Sequence, residues 1–150
     1  MLVFSYQQEH LRVIEDNIHL TQSDWEEIEH AKDVRKFDPD WEALYELEKA
    51  GILKVFTVRH DERLVGYFGA IVTPSLHCKG LLQAYDDAIF LHRDYRRGLT
   101  GYKLFKFAEK CLREDGVKIL LVTTTEKNPI DPLMKRLGYS KTQTTYEKVL

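Results

Sequence analysis

The chain has 150 residues, 43% of them hydrophobic, and carries 22 basic against 24 acidic residues for a net charge of −2. That length suits one domain around one sizeable core, and two domains would be cramped. So balanced a charge excludes a protein drawn to nucleic acid or to an anionic membrane by its total charge, and any basic patch must be local.

Cys78 and Cys111 stand far apart, with no CxxC and no Cys/His metal spacing. This suits a reducing compartment and predicts no metal. No apolar run approaches the length of a membrane span, and the N-terminus lacks the basic-then-apolar pattern of a signal peptide. The expectation is a soluble, cytoplasmic protein.

Leu2 to Gln7 alternates weakly and reads as an opening strand. From Gln8 the period changes. Leu11, Ile14 and Ile18 on one side, with Glu9, Arg12, Glu15 and Asp16 on the other, predict a helix of about three turns. Ser23 and Glu26 form a capping box for a second helix that runs from Trp25 towards Val34. Asp38-Pro39-Asp40 breaks the chain, and Trp41 to Ala50 is a third helix stopped by Gly51. Trp25, Trp41 and Tyr45 pack these helices onto a sheet, or line a pocket.

From Ile52 the period drops to two. Leu53–Arg59 and Leu64–Val72 are strands joined by a polar turn through His60-Asp61-Glu62-Arg63, and Gly66 and Gly69 mark a bulge or a close backbone approach. A loop with Pro74 and Gly80 leads into a strand from about Gln83 to Leu91. The helix from Gly98 to Asp115 has Leu104, Phe105, Ala108, Cys111 and Leu112 on one face, and Gly116 ends it. Val117–Thr123 is apolar enough to be buried on both faces. A strand, a helix and a strand make a right-handed crossover with parallel strands. A short helix from Pro129 to Leu137, a stop at Gly138 and a last strand from Lys141 to Val149 complete the chain.

The stretch Tyr95-Arg96-Arg97-Gly98-Leu99-Thr100-Gly101 lies where the strand ending at Leu91 gives way to the long helix. Free N–H groups, a positive helix end and two guanidinium groups converge there, which suits a phosphate or pyrophosphate. The bland alternative is a tight turn at Gly98 with solvated arginines. The Gly-Lys-Ser/Thr ending of a P-loop is missing, which weighs against a general nucleotide binder.

The segment Leu91 to Phe105 resembles the acyl-CoA signature of the GCN5-related N-acetyltransferases (GNAT), Arg-x-x-Gly-x-Gly/Ala entering a helix. Arg96 and Gly101 fall on its first and last positions; Leu99 falls where the middle glycine is usual, and Gly98 sits one place early. Asn128 and the run Leu133 to Tyr139 resemble the family's second signature. In flavour the chain is most similar to small members encoded by bacteriophages. The resemblance implies an α/β (α+β) fold with a mixed, mostly antiparallel sheet, a splayed parallel strand pair and flanking helices. It implies acetyl transfer from acetyl-CoA to a primary amine, with the diphosphate on the amides of Arg97, Gly98, Leu99, Thr100 and Gly101. Backbone atoms of Ile89, Phe90 and Leu91 then pair with the pantetheine arm, and Asn128 reaches it from the opposite wall. Met134 stands beside the thioester where the family commonly has a proton-donating Tyr, and a thioether donates no proton.

A general base is expected a few residues before that clamp. Asp87 is preferred because in a regular strand it shares a face with Ile89 and Leu91; Asp86 faces the other way, and His77 is a third candidate. The other reading is a GNAT-like protein that binds a partner and transfers slowly or not at all. The acidic first third suits either a cationic acceptor or a solvated helix face. The expected state is a monomer, or a homodimer paired through the last strand.

Overall fold

The computed structural model describes residues 1–6 and 11–150. The elements are β1 (Leu2–Tyr6), α1 (Leu11–Asp16), α2 (Ile18–Ile28), α3 (Trp41–Lys49), β2 (Leu53–His60), β3 (Arg63–Pro74), β4 (Leu82–Leu91), α4 (Thr100–Glu114), β5 (Val117–Leu121) and α5 (Asp131–Leu137), with a short 3-10 turn at Arg93–Tyr95. The strands form a five-stranded sheet in the order β1-β2-β3-β4-β5. Neighbours are antiparallel except β4 and β5, which are parallel. This is the mixed sheet with flanking helices that the resemblance implies.

Local chemistry explains the elements. Asp40 caps α3 by accepting from the Ala43 amide at 3.0 Å, and Gly51 leaves the helix at φ +72°. Asp61 and Glu62 both take positive φ (48° and 68°), which makes the tight hairpin turn between β2 and β3. The sheet buries both faces. On one, Phe56, Val58, Val65, Phe68 and Ala70 pack against Leu104, Phe105, Ala108 and Leu112 of α4. On the other, Leu53, Val55, Leu64, Tyr67 and Phe90 pack against Leu11, Ile14, Trp41, Leu44 and Tyr45. Burying each large apolar side chain contributes about 1.5–3 kcal/mol, so these two layers hold the helices where the strands need cover.

Four expectations change. The first helix breaks at Asn17, whose side chain donates back to the Val13 carbonyl at 2.8 Å; residues 7–10, including the expected strand end at Gln7 and helix start at Gln8, lie outside the described residues. Ser23 and Glu26 make no capping box, because α2 already runs through them from Ile18 to Ile28 and stops well before Val34. β5 is an edge strand, so it is not buried on both faces: Lys118 and Ile119 are exposed. The expected last strand from Lys141 to Val149 is absent. Residues 140–150 are irregular and exposed, since Lys141-Thr142-Gln143-Thr144-Thr145 has no apolar face with which to pack on the sheet.

The opening that matters lies between β4 and β5. They pair from Leu82 opposite Val117 to Tyr85 opposite Leu121, and then part. β4 continues through Leu91, paired only to β3. At the apex Asp86 Oδ1 accepts the Thr123 amide at 2.9 Å, fastening the strand to the chain that diverges from it.

Candidate active site

The turn after β4 is anchored before it reaches α4. The His92 amide extends the strand by donating to the Val65 carbonyl at 2.8 Å, and Tyr95 OH meets His60 Nδ1 at 2.7 Å. Gly98 then takes φ +111°, a conformation that a side chain would strain, with no atom within 4 Å of where a Cβ would stand. Leu99 occupies the N-cap of α4 but caps nothing with its side chain. The first helical bond is Lys103 N–H to Leu99 carbonyl at 2.8 Å. Among the described residues, the amides of Gly98, Leu99, Thr100, Gly101 and Tyr102 find no acceptor, and they lie at the positive end of a 15-residue helix.

The two arginines diverge. Arg97 is exposed and, among the described residues, makes no ion pair. Arg96 turns back towards α2: its Nε donates to the Leu91 carbonyl at 2.8 Å, and its terminal nitrogens lie 3.3 Å from Glu27 and 3.8 Å from Asp24. Arg93 holds the other oxygen of Glu27 at 2.9 Å, and this pairing is the main reason that the Glu27 carboxyl titrates below its ordinary range. Asp24 is nearly buried, and withdrawal from water raises its pKa to about 6 although Arg96 opposes the shift.

The carboxylates of β4 sit on a bulge. Ala88 lies opposite Gly69 and Asp86 opposite Ala70, so Asp87 is the extra residue. The bulge resets the alternation: Ile89 and Leu91 pack with α4, while Asp87 lies beside Tyr67 on the opposite face. The expected shared face of Asp87, Ile89 and Leu91 is thereby lost, and Asp87 stands two positions past the last β4–β5 pair at Tyr85. Asp87 is an exposed residue that, among the described residues, has no hydrogen-bond partner, and the protein around its carboxyl raises its pKa by desolvation. Desolvation also raises Asp86, against the hydrogen bond from Thr123. His77, the third candidate, makes no hydrogen bond or ion pair with Asp86 or Asp87 among the described residues. It sits on the exposed loop between β3 and β4.

The opposite wall is the segment between β5 and α5. Asn128 is held by its own amide on Thr125 Oγ1 at 3.2 Å, and Lys127 Nζ reaches the Glu29 carbonyl at 2.6 Å, tying this wall to the end of α2. Met134 packs with the core face shared by α4, and Tyr139 is drawn to Glu109 of α4. Burial, the Glu109 charge and a hydrogen bond to it raise the Tyr139 pKa, so that hydroxyl stays protonated. A cavity of about 240 Å³ near Tyr139 lies between the far half of α4 and β5, remote from Gly98 to Gly101.

Asp24, Glu27 and Tyr67 carry no signal in the sequence reading, which took Ser23–Glu26 as a cap. The spacing that could have found them is Thr21, Asp24 and Ile28 on one helix face: Thr21 Oγ1 accepts the Tyr67 hydroxyl at 3.0 Å.

A mixed sheet that splays at one parallel pair, with uncapped helix amides at the carboxyl end of the splayed strand, forms a crevice of the kind in which α/β proteins bind ligands. The chain belongs to the acetyltransferase (GNAT) family, whose model matches residues 14–139. No curated protein sequence matches it. Among solved structures it is similar to an aminoglycoside acetyltransferase, meta-AAC0020, from an uncultured soil metagenomic sample (17% identity, TM-score 0.78, covering 99% of this chain and 95% of that one). It is also similar to a ribosomal-protein-alanine N-acetyltransferase from Brucella melitensis biovar Abortus 2308 (19% identity, TM-score 0.73, covering 100% and 99%). A third is a predicted acetyltransferase with acetyl-CoA from Clostridium acetobutylicum (9% identity, TM-score 0.73, covering 99% and 96%). At these identities the likeness establishes the fold. Among the described residues no helix is long and apolar enough to cross a membrane, and no His, Cys, Asp and Glu side chains cluster as metal ligands.

Proposed function

We propose that the chain transfers an acetyl group from acetyl-CoA directly to a primary amine on a small molecule or a protein. The observation that carries this reading is the set of free amides from Gly98 to Tyr102 beside the unpaired edge of β4. A diphosphate satisfies those donors and faces the helix dipole, with Arg97 free to add charge. Gly101 supports the same reading. An added Cβ there meets Leu133 and Leu91 only at an ordinary 3.5 Å, so packing within the protein does not require glycine, whereas a closely approaching ligand does.

The residues then divide the work. Backbone groups of Ile89, Phe90 and Leu91, past the point where β5 leaves, bind the pantetheine arm as a strand would, and Asn128 closes on it from the other wall. Asp87, on its bulge, takes the proton from the acceptor ammonium, directly or through one water, leaving a neutral nucleophile. Asp86 is engaged by Thr123 and fastens β4 to the segment after β5 at the apex of the splay. Backbone donors at the end of β4 stabilise the oxygen where charge develops in the transition state, and most of the rate comes from positioning. With Met134 beside the sulfur, the thiolate leaves to water; a thiol of ordinary pKa is a tolerable leaving group near neutral pH. Two structural neighbours are named for an aminoglycoside and for a ribosomal-protein alanine, which are acceptors that bear amines, and the carboxylates around Tyr67 suit such a cation.

The test is thiol release from acetyl-CoA against a panel of small amines, polyamines, aminoglycosides and peptides with free N-termini or lysines. Turnover on any class supports the reading. Binding of acetyl-CoA with no turnover on any of them overturns it in favour of a second reading, which Met134 favours: a GNAT-fold protein, phage-borne as its sequence flavour suggests, that acts by engaging a protein partner in the host cytoplasm.

A further inference from the structure

Arg96 opens the signature at the anion turn, yet its guanidinium faces α2. Three contacts fix it: the Leu91 carbonyl at 2.8 Å, Glu27 at 3.3 Å and Asp24 at 3.8 Å. Arg93, two residues after β4, grips the same Glu27 at 2.9 Å. The last carbonyl of β4, the 3-10 turn and the α2 helix therefore meet in one polar knot at Arg96, two residues before the free amides begin. We infer that Arg96 is a positioning residue and not a ligand of the diphosphate: Asp24 and Glu27 clasp it so that α2, on the acceptor side, sets the shape of the coenzyme turn.

The packing around the clasp supports this assignment. Asp24 lies on the face of α2 that meets the sheet, and three residues before it Thr21 accepts the Tyr67 hydroxyl at 3.0 Å. Asp24 cannot swing to another partner, because only 9% of the residue is exposed. With Nε on the Leu91 carbonyl, one terminal nitrogen on Glu27 and the other ion-paired with Asp24 at 3.8 Å, the guanidinium is directed at α2 and two carboxylates offset its charge. The acceptor and coenzyme sites then share a wall, and ordering α2 around an acceptor tightens the turn that holds the coenzyme.

Hydrogen exchange of the full chain without ligand decides this independently of the acetyl-CoA reading. The expected result for Asp24→Asn combined with Glu27→Gln is exchange about tenfold faster at the bonded amides that flank the turn, Tyr95, Arg96 and Lys103, with the later turns of α4 unchanged and the melting temperature not lowered. Unchanged exchange in the turn overturns the inference. If the double variant fails to fold, Glu27→Gln alone, at a side chain 30% exposed, gives the same comparison. Calorimetry with acetyl-CoA adds the sign. A clasp predicts affinity weakened about tenfold in the double variant; a directly binding Arg96, released from α2, predicts tighter binding, and that result overturns the inference. Groups facing Asp24 are Arg96, Glu27, Tyr67 and, beyond Tyr67, Asp87. The ratio of wild-type to Asp24→Asn affinity should fall as pH drops through about 6, because protonating Asp24 loosens the clasp only where the carboxylate exists. That ratio cancels the titration of the coenzyme's own phosphate, and a flat ratio overturns the coupling. A wild-type chain that binds no acetyl-CoA at all sinks the transferase reading, while the exchange result still judges the clasp.

Discussion

Burial lifts the pKa of Asp24 to about 6, well above the ordinary carboxylate range, even with a guanidinium 3.8 Å away. A carboxyl whose folded pKa is raised gives stability that is fully present below its unfolded value and lost as pH rises through the folded one. Across that window, ionising Asp24 costs on the order of 3 kcal/mol. Asp24→Asn should therefore raise the melting temperature at pH 8 and give no gain below about pH 4, as thermal denaturation at both pH values would read. A simple stabilising ion pair predicts the reverse. Asp87 follows a different logic, because its charge is for the reaction. Asp87→Asn should lower kcat by about 10²–10⁴-fold and leave acetyl-CoA affinity unchanged. In the wild type kcat should fall as pH drops through a base pKa above the ordinary carboxylate value; loss of that acidic limb in the variant is the check. If Asp86 were the base, the same loss would follow Asp86→Asn, together with a weaker β4 to Thr123 fastening.

At the scale of the elements, two glycines carry opposite burdens. Gly66 of β3 has no room: a Cβ would stand 2.8 Å from Leu91 Cδ1 and 2.9 Å from the Phe90 carbonyl oxygen. Gly66→Ala should destabilise the fold by about 1–3 kcal/mol in denaturant unfolding, since the contact includes backbone that cannot step aside. Gly98 has ample room but φ +111°, so Gly98→Ala should leave the core intact and weaken acetyl-CoA binding about tenfold by reshaping the turn. Both positions were legible in the sequence as glycines at a strand bulge and at a strand-to-helix turn. So were the β2–β3 hairpin, the α4 face and the parallel crossover, because each writes its period or its turn chemistry over several residues. The bulge at Asp87 was not legible. Period two gives parity only for an uninterrupted strand, and one inserted residue moved Asp87 to the Tyr67 face away from Ile89 and Leu91. The start of α2 was hidden for a similar reason: Ser23 and Glu26 satisfy a local capping pattern, but the buried contacts of Thr21 and Asp24 keep the helix unbroken through them.

For the molecule as a whole, the question is what closes the sheet beyond β5. The expected final strand at Lys141–Val149 would need an alternating apolar face on that edge, and Tyr146, Val149 and Leu150 are 94%, 54% and 109% exposed. The tail instead runs out to an ion pair between Glu147 and Arg35, itself bonded to Glu29 at 2.8 Å, at the end of α2. Both sides of the Glu147 pair are about half exposed, so it contributes at most about 1 kcal/mol and fades with salt. Deleting residues 141–150 should therefore shift the melting temperature by no more than a few degrees, leave acetyl-CoA affinity unchanged, and leave the hydrogen exchange of β5 as fast as before. A large stability loss, or a gain of exchange along Val117–Leu121, would mean that the tail does cover the β5 edge in solution, as a last strand of this chain or of a second copy would. Measuring the mass of the intact chain by sedimentation separates those two cases: a tail that pairs only within its own chain leaves a monomer before and after deletion, whereas a shared strand loses its dimer with the tail.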